Sequence, residues 1–311
     1  MECYKKVDEI VSNIEKVIVG KRDVLDMAMV SILSEGHILL EDVPGTGKTT
    51  FAKTLAKTIG CGFNRIQFTP DTLPSDVTGI SIYNMQKGTF EYVKGSVMNH
   101  VVLVDEINRA SPKTQASLLE AMAERQVTVD GNTYILPRPF IVIATQNPID
   151  CVGTYHLPEA QLDRFFMKLS MGYPNEEEEA KMVERFLLNR KWREVESVSE
   201  ECEICRMQDE VTKVEIHEDL IEYILKITKA SRNSEDVSLG ISPRATLDWI
   251  KGAQAMAYCR KRDYVIPDDV LAVFEPIIAH RIILSSEARM KQVSTERVLS
   301  DIKSLVKIPI L

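Results

Sequence analysis

Apolar and polar positions alternate in two different ways along this chain. Up to about residue 174, short apolar runs of strand length alternate with segments of helical periodicity, which is typical of an α/β domain with a mostly parallel sheet. The predicted strands are 37–41, 64–69, 100–105, 139–145 and 164–170. After the turn at Gly172–Pro174 the pattern is helical. We therefore predict a three-layer αβα core over residues 1–174 and a helical connector and lid domain over residues 175–311.

Two segments of the first half predict β-hairpins outside the main sheet. One spans 79–92, and the other spans 125–136, where Asp130-Gly131 is a strong hairpin turn signal. The helices predicted for the second half are 176–190, 217–231, 243–260 and 267–284. Asn175 is expected to cap the first of these helices, and the four glutamates that follow it favour the positive end of the helix dipole.

The composition of the chain argues against several classes of function and location. The 311 residues carry 46 acidic and 38 basic side chains, a net charge of −8, which weighs against a nucleic-acid partner without excluding a local basic groove. No apolar run approaches the ~20 residues that span a bilayer. The segment Met1–Lys5 lacks the apolar region of a signal peptide, so we expect a cytoplasmic protein. A single CxxC, Cys202–Cys205, predicts free thiols, and its role is left open.

The strongest motif is the glycine-rich segment 45–49 (GTGKT), which follows the first predicted strand and opens a helix. Its backbone N–H groups and the helix N-terminus are suited to phosphate, Lys48 to the β- and γ-phosphates, and the Thr49 hydroxyl to Mg²⁺. The motif G-x-x-x-x-G-K-[ST] asks for glycine at position 42, where this chain has Asp42. We assign to nucleotide binding the loop and its flanks: Pro44, Gly45, Thr46, Gly47, Lys48, Thr49 and Thr50.

Polar side chains end two other predicted strands. Asp105 and Glu106 follow the apolar run 101–104. Asp105 is placed to bind Mg²⁺ together with Thr49, and Glu106 to polarise the water that attacks the γ-phosphate. Asn147 follows the next apolar strand and would hold that water if the two strands are neighbours.

Either of two residues at the end of the second strand is a candidate for orienting Glu106 as a switch. These are Gln67 and Thr69, and the sequence does not choose between them.

Taken together, these motifs resemble the AAA+ superfamily, and four longer segments are similar to its MoxR family in particular. The segments are 40–49, 104–110, 144–148 and 157–165. The resemblance runs over essentially the whole chain, from Val19-Gly20 to Arg244. It implies a P-loop AAA+ core with a helical lid, an enzyme that hydrolyses ATP with Mg²⁺.

The same resemblance assigns further residues. Arg164 matches the arginine finger, which reaches the γ-phosphate in the neighbouring subunit. Arg244 matches the sensor 2 arginine, which we expect to contact the nucleotide of its own subunit from the lid. Val19 and Gly20 match the segment that lines the adenine pocket. The two hairpins match the helix-2 insert and the pre-sensor 1 insert of this clade.

The resemblance implies a protein-remodelling ATPase, and three other classes of function are alternatives to it. MoxR-type ATPases are similar to chaperones that remodel or mature a partner protein complex, often beside a von Willebrand A-domain protein, and a homo-oligomeric ring, a hexamer, is implied. A nucleic-acid motor would need basic residues at the second hairpin tip, and 129–133 (VDGNT) has none. The ATPase subunit of a metal chelatase is the second choice. A scaffold that does not hydrolyse ATP is disfavoured, because every implied catalytic residue is present.

Overall fold

The computed structural model describes residues 4–147, 154–188 and 194–309. Its strands are β1 Ile38–Glu41, β2 Phe63–Gln67, β3 Gly79–Asn84, β4 Thr89–Lys94, β5 Val101–Asp105, β6 Gln126–Val129, β7 Asn132–Ile135, β8 Ile141–Gln146, β9 Met167–Leu169, β10 Val237–Leu239 and β11 Ile283–Leu284. Its helices are α1 Tyr4–Glu15, α2 Arg22–Leu33, α3 Lys48–Thr58, α4 Pro74–Thr78, α5 Pro112–Glu124, α6 Glu159–Leu162, α7 Glu176–Leu188, α8 Glu201–Val211, α9 Glu218–Asn233, α10 Pro243–Cys259, α11 Pro267–Ile278, α12 Ser286–Met290 and α13 Thr295–Ser304.

The five predicted strands form one parallel sheet in the order β2-β5-β8-β1-β9. Successive side chains of a strand point to opposite faces, and the central strands β5 and β8 are buried on both faces. Leu103 of β5 belongs to the apolar cluster that includes α2 and α3, whereas Val102 and Val104 belong to the cluster around α5. Each fully buried side chain of this kind contributes about 1.5–3 kcal/mol. The predicted three-layer α/β fold is confirmed.

Both predicted hairpins are present, β3–β4 and β6–β7, each an antiparallel pair separate from the main sheet. Strand β4 continues to Lys94, two residues beyond the predicted segment. The hairpins touch at their bases, where the rings of Tyr92 and Tyr134 stack with centroids 3.9 Å apart. They therefore form one surface feature.

One predicted helix is too long. The segment 267–284 is helical only to Ile278, and a 3-10 turn and strand β11 follow. Pro276 removes a backbone donor from the last turn of α11. The chain then turns Arg281 inward and pairs β11 with β10. The prediction also lacked α8, α12 and α13. The domain boundary near 174 stays a prediction, and α2 packs across it against α8 and α10.

A buried arginine joins the helical half to the end of the sheet. Arg281 is 4% exposed, and its Nη2 donates to the Phe165 carbonyl at 2.7 Å and to Asp248 at 2.9 Å. Its Nη1 lies 3.4 Å from Asp163, which also accepts from the Ser242 hydroxyl at 3.2 Å. These contacts fix the beginning of α10 beside the segment before β9.

No helix among the described residues is long and apolar enough to cross a membrane.

Candidate nucleotide-binding site

The carboxyl ends of β1, β5 and β8 meet at one edge of the sheet. Parallel strands place their carboxyl ends together, and open α/β sheets bind ligands there. The loop after β1 opens helix α3, β5 ends in Asp105, and β8 is followed by Asn147. Residues from all three ends line a single cleft: Asp42, Pro44, Gly45, Gly47, Lys48, Thr49, Thr50, Asp105, Glu106, Thr145 and Asn147, with Arg65 and Gln67 from β2.

The loop after β1 depends on backbone conformations that glycine adopts. Gly45 and Gly47 both have φ of +89°, and a Cβ at either would meet no protein atom within 4 Å. Glycine is therefore needed here for the left-handed backbone and not for lack of space. Gly47 also precedes the first turn of α3, whose N-terminal N–H groups and dipole favour an anion. The loop is built to hold phosphate.

Lys48 points back into this loop. Its Nζ donates to the Asp42 carbonyl at 2.7 Å and to the Val43 carbonyl at 3.3 Å. Burial lowers the pKa of Lys48 from its usual value, while the carboxylates of Asp105 and Glu106 favour the charged form. A phosphate group beside it would favour that charge further.

Asp42, the departure from the usual motif, has a structural role. Its buried carboxylate accepts from the Ser170 hydroxyl at 2.7 Å and from the backbone N–H groups of Met171 and Gly172 at 2.8 and 2.9 Å. Hydrogen bonds to a charged acceptor are stronger than neutral ones. They tie the start of the loop to the chain that leaves β9, a contact glycine could not make.

Asp105 is buried at the end of β5, and both of its oxygens are engaged. Oδ1 accepts from the Thr145 hydroxyl at 3.3 Å, and Oδ2 accepts from Arg65 Nε at 2.6 Å. The Thr145 hydroxyl in turn accepts from the Glu106 N–H at 2.9 Å. One hydroxyl on β8 therefore connects the two acidic residues at the end of β5.

Glu106 has a backbone conformation that is uncommon for its residue type. Its φ is +55°, in the left-handed region, and such strain is typical of functional sites. Its Oε2 accepts from Gln67 Nε2 at 2.9 Å and from Arg109 Nη1 at 3.0 Å. Of the two switch candidates only Gln67 makes this contact. Thr69 instead bonds to Thr72.

The cleft fits Mg²⁺ only together with a phosphate. No group of three or more His, Cys, Asp or Glu side chains among the described residues is suited to a metal ion. The oxygen groups at hand are the Asp105 carboxylate and the Thr49 hydroxyl, which line the same cleft. Mg²⁺ prefers oxygen ligands and is commonly held by one or two protein groups plus phosphate and water. This donor set matches that pattern.

A second cavity, of 310 Å³, shares Gly45, Gly47 and Thr50 with the cleft. Val19 and Thr46 line it, together with Val17, Ile18, Lys21, Met171, Gly172, Tyr173, Pro174, Glu179 and Met182. Gly20, next to Val19, has φ of +71°, and a Cβ there would lie 2.0 Å from Glu178 Oε1. The mixture of apolar side chains and backbone suits a flat base.

The two arginines assigned by resemblance lie elsewhere. Arg164 Nη1 donates to the Leu119 carbonyl of α5 at 2.6 Å, and Arg244 is exposed in the first turn of α10. Burial lowers the pKa of His37 to about 4, and the nearby charge of Arg244 contributes. His37 precedes β1, so it is about 16 Å from the start of the loop at about 3.3 Å per residue.

That Arg244 contacts the nucleotide of its own subunit from the lid stays a prediction. Neither Arg164 nor Arg244 is among the described residues that line the cleft. The reason is the packing around Arg281, which fixes the beginning of α10 beside Asp163.

Comparison with known proteins decides the family. Residues 37–167 match the ATPase family associated with various cellular activities (AAA), and residues 229–302 match the AAA lid domain. The chaperone MoxR1 of Mycobacterium tuberculosis is 38% identical over 97% of this chain and 82% of its own length. The chain belongs to the MoxR family of AAA+ ATPases.

Two further relatives agree with this assignment. The Bacillus subtilis protein YeaC is 48% identical over 99% of this chain and 97% of its own. The crystal structure of a proposed ATPase from Cytophaga hutchinsonii is 41% identical, with a TM-score of 0.92 over 99% of this chain and 96% of that one. This MoxR-family protein is accordingly an ATPase with a parallel α/β core and a helical lid.

Sequence reasoning missed two polar residues that line this MoxR-family cleft, Arg65 and Thr145, and it also missed Arg109, which donates to Glu106. Arg65 and Gln67 are two apart on β2, so they share a face of the sheet, and the register pairs Gln67 with Asp105. A polar pair at this spacing on a strand beside Asp105 was the available signal. Thr145 gave a weaker one, as a hydroxyl at the end of an apolar strand. Cys202 and Cys205 both lie on α8 and are not joined by a disulfide.

Replacing Thr145 with valine tests the link between the two acidic residues. The change keeps the shape but removes the hydroxyl that binds Asp105 and the Glu106 N–H. We expect the free energy of unfolding to fall by about 1–3 kcal/mol, the cost of leaving such a group unpaired. Chemical denaturation measures this, with Thr145→Ser as the control that keeps the hydroxyl. Equal stability of the valine and serine variants would contradict the assigned role.

Proposed function

We propose that this ATPase works as a homo-oligomeric ring, hexameric by resemblance, in which ATP hydrolysis remodels a partner protein complex. One observation carries the proposal. The cleft of a single chain brings together Lys48, Asp105, Glu106 and Asn147. Arg164 and Arg244 do not line it, and the neighbouring Asp163 and Ser242 are hydrogen-bonded to each other before β9. A second copy that presents these two arginines would complete the site.

Binding is assigned to the loop and the neighbouring cavity. The backbone of Gly45–Gly47 and the first turn of α3 would hold the phosphates, with Lys48 neutralising their charge. The adenine would occupy the cavity beside Val19 and Gly20. Bound Mg²⁺, held by Thr49 and Asp105, supplies charge neutralisation at the phosphate oxygens.

Water activation is assigned to Glu106. Its carboxylate would accept a proton from the water that attacks the γ-phosphate, and Asn147, which lines the same cleft, would hold that water. Gln67 and Arg109 engage one oxygen of Glu106, so they set the direction of this carboxylate. Gln67 is therefore our proposed switch residue.

The two arginines are assigned to the neighbouring subunit's nucleotide. Guanidinium groups stabilise charge on a transferring phosphoryl group, typically by orders of magnitude in rate. Arg164 is hydrogen-bonded to α5 and Arg244 lies in the first turn of α10, and neither lines the cleft of its own chain. We therefore revise the role of Arg244 and propose that both act in trans, so that head-to-tail contacts of copies form the ring.

A protein client is favoured by the exposed apolar side chains of the first hairpin. Six of them are at least 48% exposed: Ile80, Ile82, Tyr83, Met85, Phe90 and Val93. Exposed apolar groups that lie together are a mark of protein-interaction sites. The second hairpin tip has no basic residue. That the partner contains a von Willebrand A domain rests on the family resemblance alone.

Two substitutions separate binding from hydrolysis. Glu106→Gln removes the proton acceptor but keeps the shape, so we expect ATP to bind normally while phosphate release falls by about 10²–10⁴-fold. Lys48→Ala should weaken binding itself. Fluorescent-nucleotide binding and phosphate release measure the two steps, and Glu124→Gln on the surface of α5 is the control. Loss of binding in Glu106→Gln would contradict its catalytic role.

Mixed assemblies test action in trans. Arg164→Ala and Glu106→Gln should each be inactive alone. In an equal mixture, about a quarter of interfaces pair an intact Glu106 with an intact Arg164, so we expect about a quarter of the wild-type ATPase rate. The control mixes Glu106→Gln with the double variant, which offers no intact pair. An inactive equal mixture would exclude Arg164 as a finger in trans.

A further inference from the structure

Arg65 is a cation inside the cleft that neither the P-loop motif nor the family resemblance accounts for. It lies on β2, at the edge of the sheet, and its side chain is 50% exposed. Its Nε donates to Asp105 Oδ2 at 2.6 Å, a short charge-assisted hydrogen bond. Asp105 itself is nearly buried, so Arg65 is the charge that this carboxylate meets in the structure.

The strand register explains the pairing. Arg65 pairs with Leu103 and Gln67 with Asp105, and side chains two apart on a strand share a face. Arg65 therefore reaches along that face to the end of β5, on the side of the sheet where α3 begins. Both Arg65 and Thr49 line the cleft.

Two other cations, Lys48 in the cleft and Arg109 next to Glu106, have different partners. Lys48 donates to two carbonyls of its own loop, and Arg109 donates to Glu106. Only Arg65, among the described residues, forms an ion pair with Asp105. A divalent cation held by Asp105 would therefore have to share this carboxylate with the guanidinium.

We propose that Arg65 gates Mg²⁺: its guanidinium competes with the metal for Asp105, and Mg²⁺ binding with ATP displaces it. The inference rests on the proposed role of Thr49 and Asp105 in holding Mg²⁺. Two cations on one carboxylate repel each other, so occupation by one weakens the other. Arg65 can leave readily, because it is half-exposed and its other hydrogen bond, to Gln67 Oε1, is long at 3.5 Å.

The gate links metal binding to the switch. Arg65 Nη2 donates to Gln67 Oε1, and Gln67 Nε2 donates to Glu106 Oε2. Displacement of Arg65 therefore removes one of the contacts that hold Gln67 and changes the support of Glu106. ATP that binds without Mg²⁺ would therefore leave Asp105 paired with Arg65, and the contact between Gln67 and Glu106 would not change.

The test is the Mg²⁺ dependence of nucleotide binding, followed by the anisotropy of a fluorescent ATP analogue. Affinity is measured first in EDTA and then as Mg²⁺ is added, in the wild type, Arg65→Ala and Arg65→Lys. Arg138→Ala is the matched control, since Arg138 is 51% exposed and also pairs with carboxylates, away from the cleft.

We expect Arg65→Ala to lower the half-saturating Mg²⁺ concentration by about three- to tenfold, the scale of a half-exposed charge-assisted pair. Affinity in EDTA should be unchanged, Arg65→Lys should lie between, and Arg138→Ala should match the wild type. Circular dichroism checks that each variant is folded.

Three results would overturn the gate. An unchanged or higher Mg²⁺ requirement in Arg65→Ala would mean that Arg65 only positions Asp105. A fall in EDTA affinity would make Arg65 a phosphate ligand instead. A wild type that binds the analogue without any response to Mg²⁺ would overturn the proposed metal site as well, which distinguishes the two failures.

Discussion

The parallel alignment of β1, β5 and β8 places three strand ends at one edge of the sheet, and the candidate nucleotide-binding site lies there. Strand β1 is followed by the glycine-rich loop, and β5 ends in the acidic pair Asp105 and Glu106. Strand β8 contributes Thr145 and is followed by Asn147. The Thr145 hydroxyl joins two of these elements by binding Asp105 and the strained Glu106 backbone. Without that edge, the same residues would be distant in space.

Arg164 and Arg244 do not line the cleft of their own chain. Arg281 is buried where the helical half meets the chain before β9, and it holds Asp163 and Asp248 together. Removing one partner of a buried ion pair is strongly destabilising, so this contact resists separation of the two parts. We propose that it serves to hold Arg164 and Arg244 outward for a neighbouring copy, which makes assembly a condition for hydrolysis.

The sheet and the glycine-rich loop could be predicted from the sequence because both depend on local patterns. Buried strands are apolar runs in the sequence, and glycine is the residue that most readily adopts a left-handed backbone conformation. The position of Arg244 was not predictable, since it depends on how α10 packs on the core through Arg281, a contact between residues far apart in the chain. The end of α11 was missed for a similar reason, because β11 pairs with a distant strand. Gln67 could be chosen over Thr69 only from the observed register.

The central claim is that one chain holds an incomplete ATPase site that a second copy completes. The most direct test measures the ATPase rate against protein concentration, with light scattering of the same samples to follow assembly. The account predicts a specific activity that is low in the monomer and rises steeply as the ring forms. A specific activity that is constant across the range, including samples shown to be monomeric, would contradict it.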